Sequence, residues 1–136
     1  MKKLLLIFLV GLTFIILSSC SHKLIFQKSY PIPDATGYVK FKKEANDNYR
    51  VDVKTVNLPK PKDLTPPGDV YVVWMRTREN DLTNIGRIKS ASGLFSKKLK
   101  GELKATALSR PISFFITAER YGDIQYPNNH VVLSTK

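Results

Sequence analysis

Cys20 is the only cysteine in the chain, so no internal disulfide can form, and its thiolate is the best nucleophile the sequence offers. The two histidines, His22 and His130, stand near opposite ends of the segment that follows Cys20. Neither sits at a metal-ligand spacing, and both read as solvated side chains. A serine triad would need one of them beside an acid, and no Gly-x-Ser-x-Gly elbow or phosphate-cradling glycine loop occurs. Asp81, Glu102, Glu119 and Asp123 are the acids that could pair in space for acid–base work. Surface carboxylates beside lysines are the commoner arrangement. The sequence therefore leads to no expected catalytic residue, metal or cofactor. An enzyme of unknown reaction is retained only as an alternative that rests on those acids.

The other candidate chemistry is electrostatic. Lys+Arg number 22 against 11 Asp+Glu. Without Lys2 and Lys3 the balance is 20 − 11 = +9, which favours anionic partners such as headgroups, lipopolysaccharide or acidic glycans. Lys40, Lys42 and Lys43 lie in one strand-like run, and Lys97, Lys98, Lys100 and Lys104 in another. In a strand the even-numbered lysines share a face. Lys40, Lys42, Lys98, Lys100 and Lys104 thus form a candidate anionic-surface patch if the two faces adjoin. Solubility and edge protection are the simpler use of such lysines. No aromatic platform is interleaved with them, so nucleic acid is not expected as a partner.

The residues before Cys20 supply its context. Met1-Lys2-Lys3 precedes an apolar run over 4–17, a positive end and a hydrophobic stretch of signal-peptide type. As a helix that run spans about 21 Å, short of a bilayer core of about 30 Å. Leu17-Ser18-Ser19-Cys20 closes it and resembles the lipobox of bacterial lipoprotein precursors. The resemblance implies a diacylglycerol on the Cys20 thiol, cleavage between Ser19 and Cys20, and acylation of the new amine. Ser21 in place of Asp resembles outer-membrane rather than inner-membrane sorting. The segment 21–28 has no acid, unlike the acidic surface-export tag of Bacteroidetes lipoproteins. The expected location is the cell envelope, membrane-anchored and facing the periplasm.

The elements downstream must form one domain, since 136 − 19 = 117 residues are too few for two ordinary ones. Residues 20–35 read as a lipidated tether or an early edge strand, and 36–136 as the domain, with a core closing inside 30–136. Val39 and Phe41 alternate with Lys40 and Lys42. Tyr49, Val51 and Val53 alternate with Arg50, Asp52 and Lys54, and Asn46-Asp47-Asn48 is a hairpin signal between the two runs. A phase slip to Val56 and Leu58 predicts a bulge. Pro59, Pro61, Pro66 and Pro67 make 59–68 a stiff crossover to a second sheet. The continuous apolar run 70–75 fits a strand buried on both faces, with Trp74 its largest core residue. Asn80-Asp81 and Ser92-Gly93 are turns. Leu99, Gly101, Leu103, Ala105 and Ala107 alternate with polar residues, and this period of two outweighs the helix propensity of 97–108. Runs at 112–119 and 131–133 complete about seven strands. The expected fold is an all-β, immunoglobulin-like antiparallel β-sandwich after an N-terminal signal helix over 1–19.

Part of this pattern is similar to a known family. Gly68-Asp69-Val70-Tyr71-Val72-Val73-Trp74, Ile85-Gly86, Phe114-Phe115-Ile116-Thr117-Ala118-Glu119, Tyr126-Pro127 and Val131-Val132-Leu133-Ser134 resemble the extracytoplasmic C-terminal domain of anti-sigma-K factors. The likeness covers about half the chain, residues 68–134. Those factors bind sigma through a cytoplasmic segment joined by a transmembrane helix, where this chain has its signal-like start. The resemblance therefore implies an outer β domain, with no catalytic residues to transfer. The leading expectation is a membrane-anchored envelope lipoprotein. Its domain is non-catalytic and monomeric and binds an envelope protein or an anionic envelope component. An extracytoplasmic sensing domain of an anti-sigma-type system is the alternative.

Overall fold

The computed structural model of the protein describes residues 2–3, 20–90, 99–128 and 130–136. The expected signal helix lies outside them apart from Lys2 and Lys3, which are helical. The expected turn at Ser92-Gly93 and the residues Lys97 and Lys98 also lie outside.

Nine strands are present among the described residues: β1 (Ser21–Ile25), β2 (Thr36–Lys43), β3 (Tyr49–Val56), β4 (Val70–Thr77), β5 (Leu82–Arg87), β6 (Lys89–Ser90), β7 (Lys100–Ala107), β8 (Pro111–Glu119) and β9 (Val131–Ser134). They form two antiparallel sheets. One has the order β1-β2-β3-β7-β6 and the other β5-β4-β8-β9. Leaving out β1, this is the immunoglobulin Greek key, four strands facing four. The seven strands read from sequence correspond to β2, β3, β4, β5, β7, β8 and β9. The additional ones are β6, of two residues, and β1.

Period-two patterning decides which side chains meet. Val39 and Phe41 of β2 and Val51 and Val53 of β3 point inward, towards Tyr71, Val73 and Met75 of β4, Phe114 and Ile116 of β8 and Leu133 of β9. Phe41 and Phe114 span the gap, with ring centroids 6.0 Å apart. The 59–68 segment makes the expected crossover from β3 to β4, with a single 3-10 turn at Pro61–Asp63. It is pinned to the core by the Tyr71 hydroxyl, which donates to the Pro59 carbonyl at 2.8 Å.

One expectation needs correction. The phase slip after Lys54 is not a bulge: β2 and β3 pair without a register shift through Val56, and the strand then ends at Asn57, whose φ of 58° turns the chain. The run over 70–75 is buried on both faces of β4, as expected, and Trp74 is its largest fully buried side chain. Tyr71, Val73 and Met75 take the inward positions, which puts Val72 and Trp74 on the opposite face of β4. There Trp74 stacks on Phe115, and the 120–130 loop folds over that face.

Candidate functional site

The outer face of the five-stranded sheet collects the cations. Register fixes its rows. Lys23 of β1 lies opposite Lys40 of β2, Lys40 opposite Asp52 of β3, and Asp52 opposite Lys104 of β7. The neighbouring rows run Ser21, Lys42, Arg50, Thr106 on one side and Ile25, Tyr38, Lys54, Glu102, Lys89 on the other. Lys100 follows opposite Val56. The face therefore presents Lys23, Lys40, Lys42, Arg50, Lys54, Lys89, Lys100 and Lys104 against Asp52, Glu102 and the Glu44 carboxylate that reaches Arg50, a balance of 8 − 3 = +5.

Lys40, Lys42, Lys100 and Lys104, singled out from sequence, do share this face. β3 lies between their two strands, so they belong to one surface without touching. The sequence reading missed Lys23, because 21–25 could be tether or strand. It also left Arg50 and Lys54 unused, although their alternation with Val51 and Val53 was already visible.

Much of this charge is locally unbalanced. Lys23 faces Lys40 and Lys42 faces Arg50, and like charges directly opposite on a sheet destabilise it. Of the eight cations, only Arg50 has an ion pair among the described residues, to Glu44 at 2.7 Å. The Tyr38 ring offers a partial offset, with the Lys23 ammonium 4.4 Å and the Lys40 ammonium 5.5 Å from its centroid. Adjacent strands are about 4.8 Å apart, within the Debye length of about 8 Å at physiological salt, so an approaching anion meets the charges together. Ile25 projects from the same face, 67% exposed.

Cys20 is exposed and immediately precedes β1. The segment after it is thus the edge-strand alternative over 21–25, with Ser21 already paired to Lys42. Ser19 lies outside the described residues.

The acids considered for catalysis are dispersed. Glu102 is on the basic face, while Glu119 is buried on β8 of the other sheet. There it accepts from the Thr117 hydroxyl at 2.6 Å and the Asn128 backbone N–H at 2.9 Å. Thr117 in turn accepts from the Trp74 indole N–H at 2.8 Å, so Glu119 closes a structural relay under the 120–130 loop. Asp81 sits in the β4–β5 turn and Asp123 in the 120–130 loop. His130 lines a groove of ≈ 500 Å³ with Tyr30, Asp63, Leu64 and Thr65. No hydrogen bond or ion pair joins His130 to Asp63 among the described residues. His22 stacks on Phe41 with centroids 5.1 Å apart. No group of three or more His, Cys, Asp or Glu side chains is gathered to hold a metal among the described residues.

Comparison with known families, with curated proteins and with solved structures finds no match for this chain. The stretches whose sequence suggested an anti-sigma-K outer domain lie at the end of the crossover (Gly68 and Asp69), in β4, β5, β8 and β9, and after β8 (Tyr126 and Pro127). They belong to the four-stranded sheet and its cover, away from the basic face.

Proposed function

We propose that this chain is a bacterial envelope lipoprotein. Acyl chains on Cys20 hold a non-catalytic β-sandwich at a membrane, and its basic sheet face engages an anionic component of the envelope. The observation that carries the reading is Leu17-Ser18-Ser19-Cys20 at the end of an apolar run, followed one residue later by the first strand, with the thiol exposed. A thiol in that position is open to an acyl transferase and takes no part in the sandwich. Several acyl chains, at about 0.8 kcal/mol per buried methylene, make a lasting anchor where a single chain does not. Ser21 favours the outer membrane, with the domain in the periplasm.

Cys20→Ala tests the anchor. Cells expressing the full chain are fed a lipid analogue that can be tagged. The wild type is expected to carry label and to migrate as the processed form, and the variant to carry none and to retain its first 19 residues. Equal labelling of the two would overturn the reading.

A further inference from the structure

We propose that the anionic component is the phospholipid headgroup layer of the anchoring membrane itself, and that the outer face of the five-stranded sheet lies flat on it. The inference rests on the anchor reading for its geometry. Ser21 is already paired with Lys42 as the first residue of β1, so no tether separates the sandwich from a lipid on Cys20. One residue of extended chain spans only about 3.5 Å, which brings a corner of the domain to the headgroups.

Two surfaces meet at that corner, and charge chooses between them. The loop end near Lys43 gathers Lys43, Arg78 and Arg110 with Asp47, Glu79 and Asp81, a balance of 3 − 3 = 0. The sheet face carries the +5 described above, and its nearest row begins with Ser21 and Lys42 beside the anchor. A headgroup layer offers phosphates over an area as wide as the face, about 19 Å across five strands at about 4.8 Å spacing. Phosphates placed between Lys23 and Lys40, and between Lys42 and Arg50, would turn two repulsive cross-strand pairs into bridged ones. Ile25 stands among those cations as an apolar side chain that the interface can take up.

The test uses residues 21–136, which hold all nine strands and the turn and loop backbone hydrogen bonds that join them. Without acyl chains, vesicle binding reports the face alone, and the buried Trp74 indole reports folding of each variant. Co-sedimentation with phosphatidylglycerol–phosphatidylethanolamine vesicles is expected at low salt and should vanish at ~0.5 M salt. Vesicles of phosphatidylcholine alone should not bind it. The triple variant K40E/K100E/K104E should bind at least about ten-fold more weakly, since each basic residue near an anionic surface contributes several-fold. K28E/K62E/K136E changes net charge equally but lies off the face, and should lose less than about three-fold.

Equal losses in the two triples would overturn the proposal, because net charge alone would then explain binding. A larger loss in R78E/R110E than in the face triple would overturn it in favour of the loop end. No binding to anionic vesicles, or binding to lipopolysaccharide or an acidic glycan without binding to such vesicles, would overturn it as well. The anchor is scored separately by lipid label on Cys20. A labelled protein whose face variants bind normally would refute the docking alone, and an unlabelled protein whose face still selects anionic vesicles would refute the anchor alone.

Discussion

Trp74 shows how burial can be legible in a sequence while the face that is buried is not. Its neighbours Val72 and Val73 mark a central strand, but a run apolar at every position cannot say which parity faces the other sheet. Polar partners decide it here: the indole N–H needs an acceptor, and Thr117 and Glu119 supply a relay on the outer face only. Loss of an aromatic side chain from a packed site costs about 3–5 kcal/mol, and the relay would lose its donor too. Against a total stability of about 5–15 kcal/mol, Trp74→Ala should bring the domain close to unfolding. A urea titration followed by circular dichroism measures this, and an unchanged midpoint would mean that the indole is not packed. Tyr71 makes the second prediction at this scale. Burial, aided by the nearby Asp63 carboxylate, pushes its phenol well above the ordinary value. The unfolded chain releases that proton near pH 10 while the folded chain holds it, so protons favour the folded state and stability should fall as pH rises above about 10. Tyr71→Phe should show a shallower alkaline decline than the wild type in thermal melts at stepped pH. Parallel declines would refute the assignment.

At the scale of elements, the strands were legible wherever alternation was strict. β2, β3 and β7 present a polar residue at every second position, and their inward sets, Val39 and Phe41, Val51 and Val53, and Leu103, Ala105 and Ala107, were readable directly. The proline crossover was legible for a different reason, since Pro59, Pro61, Pro66 and Pro67 exclude a ladder. What was not legible is pairing. No local signal told that β2 and β7 flank β3, and only that adjacency makes one basic surface of two lysine runs. The cover over Trp74 was likewise hidden, because it depends on side-chain-to-loop bonds between residues 38 and 40 positions apart in sequence. Asn84 on β5 donates to the carbonyls of Gly122 at 2.9 Å and Ile124 at 3.0 Å, while its own carbonyl accepts from the Gly86 N–H at 2.9 Å. Asn128 fixes the far end of the loop, donating to the Ala118 carbonyl at 2.7 Å. Asn84→Ala removes both bonds to the loop; a fully buried carbonyl left unpaired costs about 1–3 kcal/mol, and these half-buried ones cost less. The loop should lift before the sandwich melts. Acrylamide should then quench Trp74 fluorescence more strongly in the variant at a temperature where the strand signal is intact, and equal quenching would show that the loop is held by other contacts.

For the whole molecule, the decisive feature is how the two chain ends are joined. Phe26, just past β1, is 5% exposed and belongs to the inter-sheet core, and Leu24 packs against that core. Phe26 also bridges to Thr135, and the Gln27 N–H donates to the Ser134 carbonyl at 2.9 Å, so residues that closely follow Cys20 close onto the last strand. The expectation that a core closes within 30–136 therefore needs revision, since that fragment lacks β1, Leu24 and Phe26. Removal of a buried Phe costs about 3–5 kcal/mol on its own. It would also leave β2 as a bare edge carrying Val39 and Phe41, the kind of edge that recruits another chain. The fragment 21–136 should unfold cooperatively as a monomer, and 30–136 should melt at a markedly lower denaturant concentration or associate during refolding. Parallel urea titrations and sedimentation of the two fragments decide the matter. Coincident midpoints, with both monomeric, would mean that 21–29 is an appendage. A lower midpoint would mean that the segment beside Cys20 is part of the fold and not an appendage to it.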